Sequence, residues 1–412
     1  MIRLSVPGSK SMTHRAFILA ANAPRACWVE NALESLDTDA TRLALIQLGA
    51  RFERHGFGTF RSEPAALSVP AGGPIDCRNS GTTLRLLLGQ AARLSGQTAF
   101  VGDSSLRQRP NRDLIRALED LGARSDSDQF IPLTLMGPIQ AGKVVVTDPK
   151  SSQFISSLLL SLVMLPGTSR LEVEGRLLSK PYVSLTLTML REAGIEIVVA
   201  EDAGATVFTI HGGQVLNCER IFVEGDWSTA AFPVVASIAS GIPVALGGLN
   251  ANSVQADRAL ERFILQLGHG AAWSHDGFEV VPGSAAQDGV VLDLADCPDL
   301  FPALCALAAL GGGGVSLRGA PQLRLKESDR IALMAAGLKN MGCVVHEHPD
   351  GLDIGSGPSR PSSVKTERDH RVLMAFELLN IKQPGIACPD GLGAEAVSYP
   401  DFYKDMRQFG LS

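Results

Sequence analysis

The feature that most limits how this chain can fold is a repeat that no single stretch reveals. An aliphatic residue or Met, three further residues and then Gly recur as Leu45…Gly49, Leu118…Gly122, Leu190…Gly194, Ile264…Gly268, Leu338…Gly342 and Met406…Gly410. The glycines are separated by 73, 72, 74, 74 and 68 residues. One Gly behind an amphipathic run is an ordinary helix stop. Six at near-constant spacing predict an internal repeat of about 70 residues, the size of a βαβαββ unit.

A second helix is expected upstream in every unit, starting near Ser9, Asn79, Ser151, Ser228, Asp299 and Asp369. The bodies of these helices are apolar nearly all round, as in Ile155–Leu165 and Leu300–Leu310, which marks interior helices. Their first turns are polar: Ser9-Lys10-Ser11, Asn79-Ser80-Gly81-Thr82-Thr83, Ser151-Ser152-Gln153, Asp226-Trp227-Ser228-Thr229, Asp296-Cys297-Pro298-Asp299 and Asp369-His370-Arg371. One Ser, Thr, Asp or Asn is enough for a cap. These starts carry two to four hydrogen-bonding residues, and the unsatisfied N–H groups and dipole of a helix start favour anions. Parallel buried helices, three to a domain, would turn their positive ends toward a cleft between two domains. An anionic, phosphate-bearing ligand is expected there.

The densest cluster is Leu325-Lys326-Glu327-Ser328-Asp329-Arg330, ahead of the apolar run Ile331–Leu338. At helical spacing Lys326 and Arg330 would share one face with Glu327 beside them, two cations to grip an anion and a carboxylate to move a proton. The boundary between the two halves is expected at Val223-Glu224-Gly225-Asp226. The opening strand Ile2–Val6, cut off by Pro7-Gly8, is expected to cross to the other half. The domains are then residues 9–224 and residues 1–8 plus 225–412, joined by a double crossover near 7–9 and 223–226. The Gly311–Gly314 run reads as a tight turn after a helix.

A chain of 412 residues is too long for one ordinary core. A formal charge of −6 argues against nucleic acid or an anionic membrane as the main partner, so any anion site has to come from local clustering of Lys and Arg. Seven cysteines without a C-x-x-C pair suit a reduced, cytoplasmic protein without structural zinc. The apolar runs are too short to span a bilayer, and no secretory leader is expected before Pro7-Gly8.

Read in order, Pro7-Gly8-Ser9-Lys10-Ser11-Met12-Thr13-His14-Arg15, Asn79–Arg85, Arg107-Gln108-Arg109-Pro110, Ser151–Phe154, Ser179-Lys180-Pro181-Tyr182, Glu224-Gly225-Asp226, Leu325–Arg330 and Asp369-His370-Arg371 resemble the signature of the 5-enolpyruvylshikimate-3-phosphate (EPSP) synthase family along essentially the whole chain. The resemblance implies an α/β, two-domain, inverse barrel-like fold, each domain holding three βαβαββ repeats with buried parallel helices. It implies transfer of the enolpyruvyl group from phosphoenolpyruvate to the 5-hydroxyl of shikimate-3-phosphate, with no cofactor, no metal, and a monomer as the working form. Another hydroxyl acceptor, or a silent metabolite sensor, stays open at this level. The UDP-N-acetylglucosamine enolpyruvyl transferases are disfavoured because Gly102–Pro110 lacks the Cys they usually place there.

Carried over by resemblance, Lys10, Ser11, Arg15, Ser151, Ser152, Ser179, Gln322 and Lys326 form the shikimate-3-phosphate shell. Lys10, Gly81, Arg109, Gln153, Arg330 and Arg371 form the phosphoenolpyruvate shell. Asp296 and Glu327, with Lys10, are the catalytic groups, and His370 is a candidate proton relay. Gln322 stands where the family commonly has Asn. Val397 stands where the family usually has Lys, with Lys404 as a candidate substitute. The resemblance also implies that the inhibitor glyphosate acts at the phosphoenolpyruvate site.

Overall fold

The computed structural model describes residues 1–411 except 203, 285–288, 312–313, 356 and 358–359, so the middle of the Gly311–Gly314 run lies outside the described residues. Two compact units emerge: Lys10–Val223, and Met1–Ser9 together with Glu224–Ser412.

The helices of the first unit are α1 (Lys10–Asn22), α2 (Leu36–Gln47), α3 (Gly81–Ala92), α4 (Arg112–Asp120), α5 (Ser152–Leu162) and α6 (Lys180–Glu192). Those of the second are α7 (Trp227–Ser240), α8 (Leu260–Gln266), α9 (Phe301–Gly311), α10 (Arg330–Asn340), α11 (His370–Leu379) and α12 (Phe402–Met406). The odd-numbered helices are the interior ones, and Ala16–Ala21, Leu86–Leu88, Leu158–Leu160, Val234–Ala236, Ala303–Ala306 and Val372–Phe376 are all buried. Each fully buried Leu, Ile or Phe contributes about 1.5–3 kcal/mol relative to exposure, so a helix apolar on every face is held by its surroundings. The helices approach closely where side chains allow it. A Cβ at Gly89 of α3 would stand 2.8 Å from the Ser157 carbonyl of α5, and one at Gly337 of α10 would run into the Phe376 ring of α11.

The six repeat glycines all adopt left-handed backbone, with φ from +81° to +107°. In each case the residue after the Gly donates its N–H to the carbonyl of the aliphatic or Met residue five positions before it. These bonds are Ala50 to Leu45, Ala123 to Leu118, Ile195 to Leu190, His269 to Ile264, Cys343 to Leu338 and Leu411 to Met406. This is the Schellman closure, which needs a residue without a Cβ penalty at the Gly and an apolar contact behind it. The spacing in the sequence is therefore the spacing of six helix stops.

Five four-stranded sheets share one plan: a parallel pair extended by an antiparallel hairpin. Two of them borrow a strand from far along the chain. Ile2–Ser5 pairs in parallel with Val244–Gly247 in the second unit, and Arg220–Phe222 pairs in parallel with Cys27–Glu30 in the first. The sixth repeat departs from the βαβαββ plan. Among the described residues it holds only the two-stranded pair Ser362–Ser363 with Ile386–Ala387. Beyond α12 no alternating strand pattern follows, and Phe409 and Leu411 instead bury in the core of the second unit.

Candidate active site

The helix starts of the two units are built from different chemistry. In the first unit the caps are hydroxyls: Ser35 accepts from the Thr38 N–H, Ser80 from Thr83 and Ser151 from Gln153. In the second they are carboxylates: Asp226 accepts from Thr229, Asp329 from Ala332, and Asp369 from both Arg371 and Val372. A neutral cap satisfies an N–H without cancelling the positive helix end, whereas a carboxylate cap cancels it and leaves oxygens to hold a cation.

In the first unit Lys10, the first residue of α1, lies 3.0 Å from Asp37 of α2, and both side chains are mostly shielded. Arg15 is buried, and its guanidinium donates to the Thr186 hydroxyl (2.7 Å), the Ser156 hydroxyl (3.1 Å) and the Ser11 and Tyr182 carbonyls (2.8 and 3.2 Å). No carboxylate is among these partners, and burial lowers its pKa to about 10. A buried cation with hydroxyl and carbonyl partners leaves positive charge for an incoming anion. Ser179, at the start of α6, is held at φ +55° without a side-chain cap bond, and Ser152 is buried beside the cap Ser151.

Gly81, Arg109 and Gln153 meet in the same unit around the start of α3. A Cβ at Gly81 would come within 3.2 Å of Arg109 Nη1. Arg109 donates to Asn79 (2.7 Å) and Ser105 (3.0 Å). Gln153 donates to the Thr82 hydroxyl (2.8 Å) and accepts from Arg85 (2.8 Å). Arg85, which lies in the Asn79–Arg85 motif but is not among the expected site residues, also stacks its guanidinium over Phe154.

In the second unit the Lys326–Arg330 cluster is not one helical face. The chain runs as a tight turn through Pro321–Leu325, and α10 begins only at Arg330, capped by Asp329, which Arg324 also engages at 2.8 Å. Lys326 and Arg330 nevertheless converge on one carboxylate, Asp299, at 3.4 and 2.9 Å, and Arg371 approaches the same carboxylate at 3.5 Å. Arg330 is buried, bonded also to Glu327 (2.9 Å) and Asp369 (2.8 Å). Burial would weaken the charge on Arg330, but Asp369, Glu327 and Asp299 outweigh it and hold its pKa above the usual value. Burial alone would push the Asp299 carboxyl up. Arg371, Lys326 and Arg330 together hold it well below the usual carboxylate range.

Asp296 is not part of this cluster. Its side chain is exposed, and among the described residues no hydrogen bond or ion pair joins it to Lys326, Arg330 or Arg371. The chain turns at Pro298–Leu300 before α9, and that turn carries Asp299 inward while Asp296 stays outside. The carboxylate among the cations is Asp299. Gln322 is buried and donates to the Ala295 carbonyl at 3.0 Å, bracing the segment that leads to Asp299. His370 is buried at the start of α11. Lys404 is turned to solvent, its side chain 75% exposed and 3.5 Å from Asp401. Asp257, buried and 2.7 Å from the Ser228 hydroxyl, adds to Asp299 and Asp226 in keeping Arg371 charged; no sequence motif had drawn attention to it.

The fold is that of the enolpyruvyl transferases. The chain superposes on EPSP synthase from Acinetobacter baumannii with a TM-score of 0.78 at 26% identity, covering 100% of this chain and 96% of that one. The enolpyruvyl transferase NikO from Streptomyces tendae shares the fold with a TM-score of 0.74 at 19% identity, covering 100% and 94%. The chain belongs to the EPSP synthase (3-phosphoshikimate 1-carboxyvinyltransferase) family, whose model matches residues 2–406. It is 38% identical over 408 residues to a 3-phosphoshikimate 1-carboxyvinyltransferase of Methanocorpusculum labreanum, covering 98% of this chain and 95% of the relative. With the corresponding protein of Syntrophobacter fumaroxidans it shares 36% over 410 residues, again 98% and 95%. Among the described residues no helix is long and apolar enough to cross a membrane.

Proposed function

We propose that this protein transfers the enolpyruvyl group of phosphoenolpyruvate to the 5-hydroxyl of shikimate-3-phosphate. The observation that carries the reading is the convergence of Lys326, Arg330 and Arg371 on Asp299, beside Glu327. Arginine forks match a carboxylate or a phosphate in bidentate fashion, and phosphoenolpyruvate has one of each. The hydroxyl-capped helix starts of the first unit, with Arg15 lacking a carboxylate among its hydrogen-bond partners, suit the phosphate and carboxylate of the acceptor.

The reaction needs two proton-handling groups. The acceptor oxygen bonds to C2 of phosphoenolpyruvate and loses its proton while C3 gains one. The tetrahedral intermediate then breaks its C2–O bond to phosphate, and the methyl group gives back a proton to re-form the double bond. Asp299, ionised at neutral pH, can accept the hydroxyl proton. Its basicity rises when substrate anions take over part of the charge of Arg371, Arg330 and Lys326. Glu327, which must carry a proton when both substrates are bound, delivers it to C3 and takes it back, Asp299 passes the hydroxyl proton to the departing phosphate, and Lys10 offers its ammonium to the bridging oxygens.

Phosphate release from phosphoenolpyruvate, assayed with and without shikimate-3-phosphate, tests this. Release that requires shikimate-3-phosphate is expected. Release indifferent to it, or none, would overturn the assignment and favour another acceptor or a binding role.

A further inference from the structure

The start of α11 is reached through a turn that ordinary side chains avoid. Glu367 and Arg368 both take left-handed backbone, with φ of +52° and +59°, immediately before the cap Asp369. A Cβ is crowded in that region, and such conformations persist only where the surroundings impose them. Neither side chain supplies the reason. Both residues are exposed, and Glu367 pairs at the surface with Lys365 at 2.7 Å.

The turn is imposed by Asp390. The short strands Ser362–Ser363 and Ile386–Ala387 run in parallel, and the Val364 N–H donates to the Ala387 carbonyl at 2.9 Å. This register brings Thr366 beside Asp390. One carboxylate oxygen accepts from the Thr366 N–H (3.0 Å) and hydroxyl (2.9 Å), and the other from the Glu367 N–H (2.8 Å). Burial would raise the Asp390 carboxyl, but these donors outweigh it and hold it below its ordinary value. The Asp369 N–H then closes the turn on the Thr366 carbonyl at 2.9 Å. The same loop presses on α11 directly. A Cβ at Gly391 would stand 2.7 Å from Leu373 and 2.9 Å from the Thr366 hydroxyl.

We propose that Asp390 is a positioning residue for phosphoenolpyruvate. It holds Glu367-Arg368 in the left-handed turn that sets Asp369, which in turn holds the Arg330 guanidinium at 2.8 Å and caps the Arg371 N–H at 3.0 Å. The inference rests on the reading of that cluster as the phosphoenolpyruvate site. Without the clamp, residues 367 and 368 relax toward right-handed or extended backbone, and the first turn of α11 moves with them.

The full chain is tested as Asp390→Ala and as the milder Asp390→Asn, which keeps one acceptor oxygen. A third variant combines Asp390→Ala with Glu367→Gly and Arg368→Gly, since glycine takes left-handed backbone freely. The KM for phosphoenolpyruvate should rise on the order of ten-fold in Asp390→Ala and less in Asp390→Asn, while that for shikimate-3-phosphate stays within about two-fold. The glycine pair should recover most of the loss. A role confined to stability would lower the active fraction and leave both KM values in place. Amide hydrogen exchange over residues 366–372 should also be faster in Asp390→Ala than in the native chain. A phosphoenolpyruvate KM unchanged in both single variants, a parallel rise of both KM values, no recovery with the glycine pair, or native-like exchange overturns the proposal. Should the native chain release phosphate without needing shikimate-3-phosphate, the reaction assigned above falls, while exchange still decides whether Asp390 holds the turn.

Discussion

Arg330 and Asp369, both buried, form an ion pair of 2.8 Å that ties the first residue of α10 to the cap of α11. Asp369 simultaneously accepts from the Ser328 hydroxyl and from the N–H groups of Arg371 and Val372, so one carboxylate sets two arginines and two helix ends. Asp369→Asn keeps the cap and removes the charge. Taking one partner from a buried pair typically costs about 3–5 kcal/mol, and Asp299 and Glu327 remain beside Arg330, so the lower end, about 3 kcal/mol, is expected. Urea unfolding followed by circular dichroism checks this; an unchanged midpoint would show that the pair contributes nothing net.

Asp296 and Asp299 can be told apart by parallel substitutions. Asp299→Asn should lower turnover on the order of 100-fold or more, as for a lost acid–base group. Asp296→Asn should leave turnover within about two-fold, the scale of a surface change that touches no substrate. Equal losses in the two variants would place the reacting centre elsewhere.

The same carboxylate makes a pH signature. Asp299 has its folded-state pKa depressed, so its contribution to stability is complete above the ordinary Asp value and is lost as pH falls below that value toward the depressed one. The thermal midpoint of the native protein should therefore drop steeply on acidification below about pH 4, the unperturbed Asp value. In Asp299→Asn that part of the drop should be missing. Differential scanning calorimetry across acidic buffers measures both curves, and superimposable acid limbs would contradict the ion-pair account.

Glu327→Gln preserves the size of the side chain and its reach to Arg330 while removing proton transfer. Substrate binding should stay largely intact and kcat should fall on the order of 100-fold or more. Near-normal turnover would remove Glu327 from the mechanism.

How far the chain could be read from residues alone depended on the range of the interaction. The six helix stops are local: Leu338 and Gly342, for example, determine a Schellman closure within one turn, and spacing alone exposed them. The interior helices were legible because Phe301–Leu310 has no polar face. The choice between Asp296 and Asp299 was not local. Repeat spacing marked Asp299 as a helix start while resemblance marked Asp296, and only contacts with Lys326, Arg330 and Arg371 separate them. The expected helical face of Lys326 and Arg330 fails for a related reason: the Asp329 side chain caps α10, so the helix begins at Arg330 and leaves Lys326 outside it. Asp257 is a lone acid in a stretch without a motif, and its relation to Arg371 exists only in three dimensions.

Val397 closes the turn Ala394–Val397, which packs on α11, the helix that begins His370-Arg371. Where family members usually bring a Lys, this protein brings an apolar side chain, and Lys404 does not replace it, being solvent-facing and paired with Asp401. A charge-assisted hydrogen bond in such a site is worth about 1.5–3 kcal/mol, roughly ten- to over a hundred-fold in affinity. Val397→Lys should therefore tighten phosphoenolpyruvate and glyphosate together by at least about ten-fold. Gly81→Ala tests the other wall. Its new Cβ would press on Arg109 Nη1 at 3.2 Å, and the far end of that side chain can give way by a few tenths of an ångström. The fold should be unaffected and phosphoenolpyruvate binding only mildly weakened, while the larger inhibitor loses affinity more steeply. Paired titrations of both ligands on each variant decide the matter. Affinities unchanged in Val397→Lys would mean that Arg330 and Arg371 already satisfy the anion. An equal loss of both ligands in Gly81→Ala would mean that the donor does not sit against the start of α3.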